Sequence, residues 1–461
     1  MPNAATSAPE PAARRLAVSY YLYAFSDEFV LLYPVYPLLF TDTGLSVPQI
    51  SSLFLVWSLT CLLLEVPSGV LADALSRRLL LGTAPLLGAV GFGLWVLAPS
   101  YGAFALGFVL WGARSALQSG AAEALLYEEL DRLGLAARYG RVVGRAKTVG
   151  LVAALLATAV AAPVFAAGGY PAVGLASVLA SLGCAVVGFT LPEHRRPVGA
   201  AAEPPSREPD AEPLPGRPDP EASPVAPDAG PAGWWAVLRG GLAEARTDRS
   251  VRRALLLLPL MLGIWGGLEE YTSLLAGELV PASQVPLLVF LVSAGVMVGG
   301  LLTPYGQRLP ERWFAVTVAL AAVLLALGAL SGRPAGFALI AVAFCVLQMA
   351  SIVMNVRLQQ SITGPSRATV TSLAGLGTEV VTISLYGGYA LASTVAGHAV
   401  VFALFALPYL PVAVALARRT PAASTAATAP AVAGDEEDRC ACRHTAETDA
   451  RRPATGSAGR S

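Results

Sequence analysis

Charge is scarce in this chain. Asp, Glu, Lys and Arg make up only 13% of 461 residues, and 31 basic side chains balance 31 acidic ones. A soluble domain carries about 25% charged residues, and a neutral balance leaves no electrostatic footprint for nucleic acid. Histidine is rarer still: His194, His398 and His444 are far apart, and no nucleophile–base set is visible. Five cysteines do not make a disulfide framework, and Cys61, Cys184 and Cys345 fall inside apolar runs, where cysteine acts as a small hydrophobe. Cys440, Cys442 and His444 supply three ligands in a polar tail, too few for a closed metal site. No phosphate-cradling glycine loop of the P-loop type occurs. The sequence therefore points away from an enzyme and from any metal or cofactor.

Apolar length is what the chain has in abundance. It is 55% hydrophobic, with mean hydropathy +0.61. Twelve apolar runs lie near residues 16–40, 47–72, 79–98, 101–126, 143–166, 170–191, 253–277, 285–304, 313–331, 335–355, 369–393 and 397–417. A helix needs about 20 residues to cross the hydrocarbon, and continuous rather than alternating runs indicate helices, not a barrel. The expected fold is an all-α membrane protein of twelve transmembrane helices in two six-helix bundles. Arginine fixes the expected orientation. One set of loops holds Arg14, Arg15, Arg77, Arg78, Arg132, Arg138, Arg141, Arg145, Lys147, Arg308, Arg312, Arg357, Arg367, Arg418 and Arg419, while the alternate loops hold only Arg333. Positive loops stay inside, so both termini are expected in the cytoplasm and the protein in the inner membrane. The first run, Leu16 to Phe40, is too long for a cleaved signal peptide.

Composition divides the chain further. Residues 1–15 read as a disordered N-terminus, 16–191 and 251–417 as the two bundles, 192–250 as a cytoplasmic linker and 418–461 as a disordered tail. Pro197 to Pro231 is crowded with Pro, Ala, Asp and Glu, too polar to offset its ordering entropy. Trp234 to Arg249 has the spacing of a short surface helix. The halves echo each other: Gly69 and Arg77 recur as Gly300 and Arg308, and Asp27–Glu28 recur as Glu269–Glu270. Paired halves around a central path are a transporter layout.

Ionisable residues inside apolar runs cost about 2.5–3.5 kcal/mol each on insertion scales and so face the bundle interior. They are Asp27, Glu65, Arg114, Glu269, Glu270 and Glu379. Arg114 stays charged and needs an acid, Asp27 or Glu65; Gln118 is one turn further on the same face. Glu65 lies about 12 Å deeper than Asp73 at ~1.5 Å per residue, between burial and Arg114, which favour opposite charge states. Glu65 and Asp27 are therefore the expected proton carriers. Asp73 and Arg77, four apart, are expected to share a helical face. Pro34 and Pro37 should bend the first run. Tyr23 and Trp265 stand beside acids, a pattern suited to cationic or amphipathic compounds, whereas Tyr36 and Trp95 read as interface anchors. The glycines, among them Gly82, Gly88 and Gly91, read as sites of close helix packing.

Residues 65–78, Glu-Val-Pro-Ser-Gly-Val-Leu-Ala-Asp-Ala-Leu-Ser-Arg-Arg, resemble the loop motif of the major facilitator superfamily. Gly69, Leu71, Ala72, Asp73, Arg77 and Arg78 match it, and Ser76 stands where that family prefers glycine. Arg114, Gln118 and Gly120 are similar to a second motif of the family, with one extra residue before the glutamine. Pro304 occupies the place of Asp73 in the second half. The resemblance implies a secondary transporter working by alternating access, with a cavity among spans 1, 4, 7 and 10 and a gate at Gly69, Asp73, Arg77 and Arg78. It implies that Asp73 approaches the start of span eleven. The expected cavity residues are Tyr23, Asp27, Arg114, Gln118, Trp265, Glu269 and Gln348. The expected function is proton-coupled efflux of small organic compounds by a monomer, its partners being the substrate, protons and the lipid bilayer. An uptake symporter and a non-transporting sensor or scaffold remain as alternatives.

Overall fold

The computed structural model describes residues 9–194, 249–362 and 367–418. The linker helix expected at Trp234–Arg249 and the tail cysteines lie outside that range, apart from Arg249 itself. Among the described residues the regular structure is helical. The N-terminal half comprises α1 (Pro9–Glu28), α2 (Tyr36–Asp42), α3 (Val47–Ala74), α4 (Arg77–Leu97), α5 (Tyr101–Gln118), α6 (Ala121–Arg132) and α7 (Tyr139–Thr190). The C-terminal half comprises α8 (Arg249–Glu269), α9 (Thr272–Gly277), α10 (Val285–Arg308), α11 (Glu311–Leu330), α12 (Gly336–Ser361), α13 (Arg367–Ala392), α14 (His398–Ala406) and α15 (Tyr409–Ala417).

These elements make twelve crossings. Helix α7 supplies two. Gly169 takes φ 59° and ψ −153°, a conformation that only glycine adopts cheaply, and breaks the helix there. The arms then run in opposite directions along α1: Gly150 lies against Glu28, while Cys184 lies beside Tyr23 and Ser177 beside Leu32. The first crossing is also broken. The chain leaves helical geometry between Glu28 and Tyr36, around Pro34, and resumes as α2, as the prolines foretold. Among the described residues, eight helical segments are long and apolar enough to cross a bilayer by length and composition alone. Helices α1, α5 and α13 are more polar because they carry Asp27 and Glu28, Arg114 and Gln118, and Glu379. Each of these groups bears on the site described below.

Helix α1 starts at Pro9, ahead of the apolar run. Glu10 explains part of this extension: Arg138 donates two hydrogen bonds to its carboxylate and holds that carboxyl below its usual range. Apolar side chains cover the outside of the bundle, including Leu63, Leu175, Val186, Leu301 and Leu391. Water would penalise such a surface and lipid does not.

Packing within each half depends on close backbone approach. A Cβ on Gly299 of α10 would lie 2.1 Å from the Cys345 carbonyl of α12, and one on Gly295 would lie 2.3 Å from the Ala341 carbonyl. In the N-terminal half, Gly91 of α4 faces Gly107 of α5. Aromatic rings fill the space beyond: Phe40, Phe92, Trp95, Phe104 and Phe108 are all buried. Trp95 is thus no interface anchor; its indole N–H donates to the Phe104 carbonyl at 3.2 Å. The halves meet where α3 packs on α13, α7 on α10 and α2 on α9.

Candidate functional site

Four of the expected cavity residues converge in the N-terminal half. Arg114, only 3% exposed, reaches from α5 to the last turn of α1. Its Nη2 donates to the Asp27 carboxylate and to the Asp27 carbonyl, the latter at 2.9 Å. Of the two acids the sequence offered, Asp27 is the partner. Gln118 spends both amide hydrogens nearby, on Asp27 Oδ1 at 2.7 Å and on the Tyr23 hydroxyl at 2.7 Å. Tyr23 passes its own hydrogen to the Leu81 carbonyl at 3.2 Å. Gly88 makes this possible: a Cβ there would lie 2.9 Å from Arg114 Nη1. That Nη1 is buried with no hydrogen-bond partner, an uncommon state for a charged donor. Tyr20, Tyr23, Asp27, Glu28, Gln118 and Lys147 are among the residues that line an adjoining cavity of about 450 Å³.

A second cavity, of about 190 Å³, lies between the halves. Trp57, Ser58 and Cys61 of α3 form one wall; Gly266 and Glu270 by α8, with Glu379, Thr382 and Tyr386 of α13, form the other. The Trp57 indole N–H is buried without a hydrogen-bond partner. Here the expected residues need correction. Glu270, not Glu269, lines this cavity; Glu269 is exposed about 100° further round the helix. Packing decides this register, because Gly263 and Gly267 lie against Val381 and Leu385 and turn α8 accordingly. Trp265 does not line either cavity. It is buried between α8 and α12, where its N–H donates to Ser351 Oγ at 3.0 Å. Gln348 is half-buried on α12. Trp57 escaped the sequence reading because it carries no charge; its spacing with Ser58 and Cys61 on one face of α3 was the available signal.

Above this cavity the halves are sealed at the end remote from the arginine-rich loops. Tyr36, expected to anchor at the interface, is buried and donates to the Glu270 carboxylate. Ser51 and Tyr271 hydroxyls share a hydrogen bond of 2.7 Å. Phe54 lies 5.3 Å from the rings of both Tyr271 and Tyr386, and Tyr271 stacks on Tyr389 at 3.6 Å. Phe54 makes these contacts across the two halves.

The arginine-rich end is organised differently. Helix α3 ends at Ala74, and Ser76 caps α4 with extended backbone (φ −67°, ψ 124°). A helix break therefore separates Asp73 from Arg77, and the four-residue spacing does not place them on one helical face. Arg77 pairs instead with Glu128 of α6. Glu193, after α7, accepts from the Ser76 hydroxyl, from the Arg77 N–H at 2.8 Å and from the Arg78 N–H at 3.4 Å. This carboxylate neutralises the positive end of α4. Glu65, Gly69 and Asp73 lie outside the described side chains, as does the segment before α13 that Asp73 was expected to approach. Among the described residues no cluster of metal-ligating side chains occurs.

No match was found among curated proteins. Several solved structures share the fold. A mutant of the nucleoside transporter NupG superposes with TM-score 0.64 at 12% identity, covering 87% of this chain and 98% of that one. A bacterial homologue of the human lysosomal transporter Spinster, in an inward-facing, unoccupied conformation, gives 0.59 at 15% identity over 89% and 95%. A D-xylose–proton symporter gives 0.60 at 12% over 89% and 98%. At such identities the likeness speaks for the fold alone. The sequence profile of the Major Facilitator Superfamily matches residues 16–385, well over half of the chain. The chain belongs to that superfamily, a family of multi-pass membrane transporters rather than enzymes.

Proposed function

We propose that this transporter exports small organic compounds, cationic or amphipathic in character, in exchange for protons, by alternating access between the two halves. One observation carries the reading: a cavity walled by both halves, holding Glu270 and Glu379 opposite Trp57 and directly beneath the Tyr36–Glu270 seal. A proton and an organic cation neutralise the same carboxylate, so each displaces the other, and exchange follows from competition for one charge. Indole and phenol faces attract cations by their quadrupole, and Trp57 and Tyr386 supply such rings. The Asp27–Arg114–Gln118 network on α1 and α5 is a second polar wall, and Glu65 remains a candidate proton carrier. In this reading the protein works as a monomer in the cell inner membrane, with both termini in the cytoplasm.

Alternating access requires an element with two discrete arrangements. The seal at the end remote from the arginine loops is held by few polar contacts, chiefly Tyr36–Glu270 and Ser51–Tyr271. Binding of a cation to Glu270 removes the acceptor of the first and so weakens closure as substrate arrives.

Flux through reconstituted vesicles tests the proposal. With a fluorescent lipophilic cation inside and a proton gradient imposed, efflux should run against the cation gradient and counter to proton flow. Glu270→Gln and Glu379→Gln should each abolish the proton-driven component. Co-directional movement of proton and solute would identify a symporter instead. Absence of gradient-driven movement for every compound in a broad panel would leave a non-transporting sensor.

A further inference from the structure

A groove of about 990 Å³ opens at the arginine-rich end, and only residues of the N-terminal half line it. It is separate from the cavity between the halves. Arg14 and Arg15 of α1, Arg132 of α6 and His194 beyond α7 supply its polar wall, and Glu129 lies at its floor.

The charge of this groove is not balanced from within. Glu129 is buried, but its oxygens are already engaged. Arg132 donates to Oε2 through Nε and Nη2 at 3.2 and 3.1 Å. The His194 backbone N–H donates to Oε1 at 2.6 Å, and His194 Nδ1 lies 3.1 and 3.0 Å from the two oxygens. Glu129 and Arg132 therefore neutralise each other. Arg14 and Arg15 are both exposed, and neither forms an ion pair with a carboxylate among the described residues. Two adjacent guanidinium groups thus face one groove without a counter-charge.

The groove also changes character with depth. Val18, in its wall, is 56% exposed. One turn further along α1, Leu22 is exposed too. Thr190 and Pro192, at and just beyond the end of α7, also line the groove. A soluble anion would use the arginines and leave this apolar surface uncovered. A molecule with an anionic head and an acyl tail satisfies both.

We propose that this groove binds the headgroup of an anionic phospholipid, with the phosphate on Arg14 and Arg15 and an acyl chain along Val18 and Leu22. Basic residues at a membrane surface each contribute about 1 kcal/mol toward anionic lipid, so removal of two corresponds to about a thirty-fold loss of affinity.

The test uses the full chain in zwitterionic nanodiscs, titrated with phosphatidylglycerol and read by native mass spectrometry of the released protein. The wild type should retain phosphatidylglycerol. Arg14→Gln/Arg15→Gln should lose about thirty-fold in apparent affinity. Arg141→Gln/Arg145→Gln, which removes equal charge from the same end but outside the groove, should bind as the wild type does. Size-exclusion profiles check that both variants fold. Equal weakening in the two double variants overturns the proposal, because binding would then follow net charge alone; weakening in neither overturns it too, because Arg14 and Arg15 would then not hold the lipid. Displacement of the lipid by an equal concentration of glycerol phosphate overturns it as well, because the site would then serve a free anion.

Discussion

Tyr36 and Glu270 lie 234 positions apart in sequence, yet the phenol of one donates to the carboxylate of the other across the junction of the two halves. A charge-assisted hydrogen bond of this kind contributes roughly 1.5–3 kcal/mol. The same carboxylate lines the cavity beneath. One side chain therefore serves both the closed seal and the proposed binding site.

Tyr36→Phe should loosen the seal without changing the volume of the core. Loss of roughly 1.5–3 kcal/mol shifts a two-state equilibrium by about ten-fold or more. Spin labels at Thr43→Cys and Pro281→Cys, on a background lacking the native cysteines, should show a longer-distance population growing at the expense of the short one. An unchanged distance distribution would mean that the aromatic contacts alone hold the halves together.

Arg114→Met should be strongly destabilising, because the half-buried Asp27 carboxylate then keeps its Gln118 hydrogen bond but loses its counter-charge. Breaking a buried pair from one side costs roughly 3–5 kcal/mol, whereas removing both charges costs far less. Thermal unfolding should therefore rank the wild type above Asp27→Asn/Arg114→Met, and that double variant above Arg114→Met. A double variant no more stable than the single one would show that the guanidinium acts by packing, not by pairing.

Gly299→Ala and Gly300→Ala should differ sharply although they are neighbours. A Cβ at 299 would meet the Cys345 carbonyl at 2.1 Å, and backbone cannot yield as a side chain does; at 300 nothing lies within 4 Å. The first should lose about 1–3 kcal/mol by overpacking. The second should be neutral or gain up to about 1 kcal/mol from helix propensity. Comparable melting temperatures for the two variants would contradict the close α10–α12 contact.

Glu193→Ala should fray the start of α4. The carboxylate accepts from Ser76, Arg77 and Arg78 at that terminus, and loss of a helix cap costs about 0.5–2 kcal/mol. Amide exchange should accelerate at Arg77–Leu80 and stay unchanged at the far end of the helix. Protection unaltered at these positions would show that the Ser76 cap suffices.

Acid should release the first turns of α1. Arg138 holds the Glu10 carboxyl below its ordinary range. For an acid lowered in the folded state, the contribution is present above its unfolded pKa of about 4.3 and disappears as pH falls through the folded value. Protection factors, which remove the intrinsic pH dependence of amide exchange, should fall at residues 13–15 on acidification below about pH 4, and Glu10→Gln should show the low protection at neutral pH. Protection factors unchanged with pH in the wild type would remove Glu10 as the tie.

Much of this molecule was legible in the chain itself. The twelve crossings, the paired halves, the break at Pro34, the loop motif at residues 65–78 and the need of Arg114 for an acidic partner all follow from local pattern; that the partner is Asp27 and not Glu65 was decided by the structure. Hydropathy and charge are properties of short windows, and a charged group in an apolar run announces its need for a partner. Rotation about each helix axis was decided only by the tertiary structure. A helix that is apolar on all sides carries no internal record of which face turns inward. The choice of Glu270 over Glu269, the burial of Tyr36 and Trp95, the withdrawal of Trp265 onto Ser351 and the pairing of Arg77 with Glu128 were set by glycine contacts and capping between segments far apart in sequence.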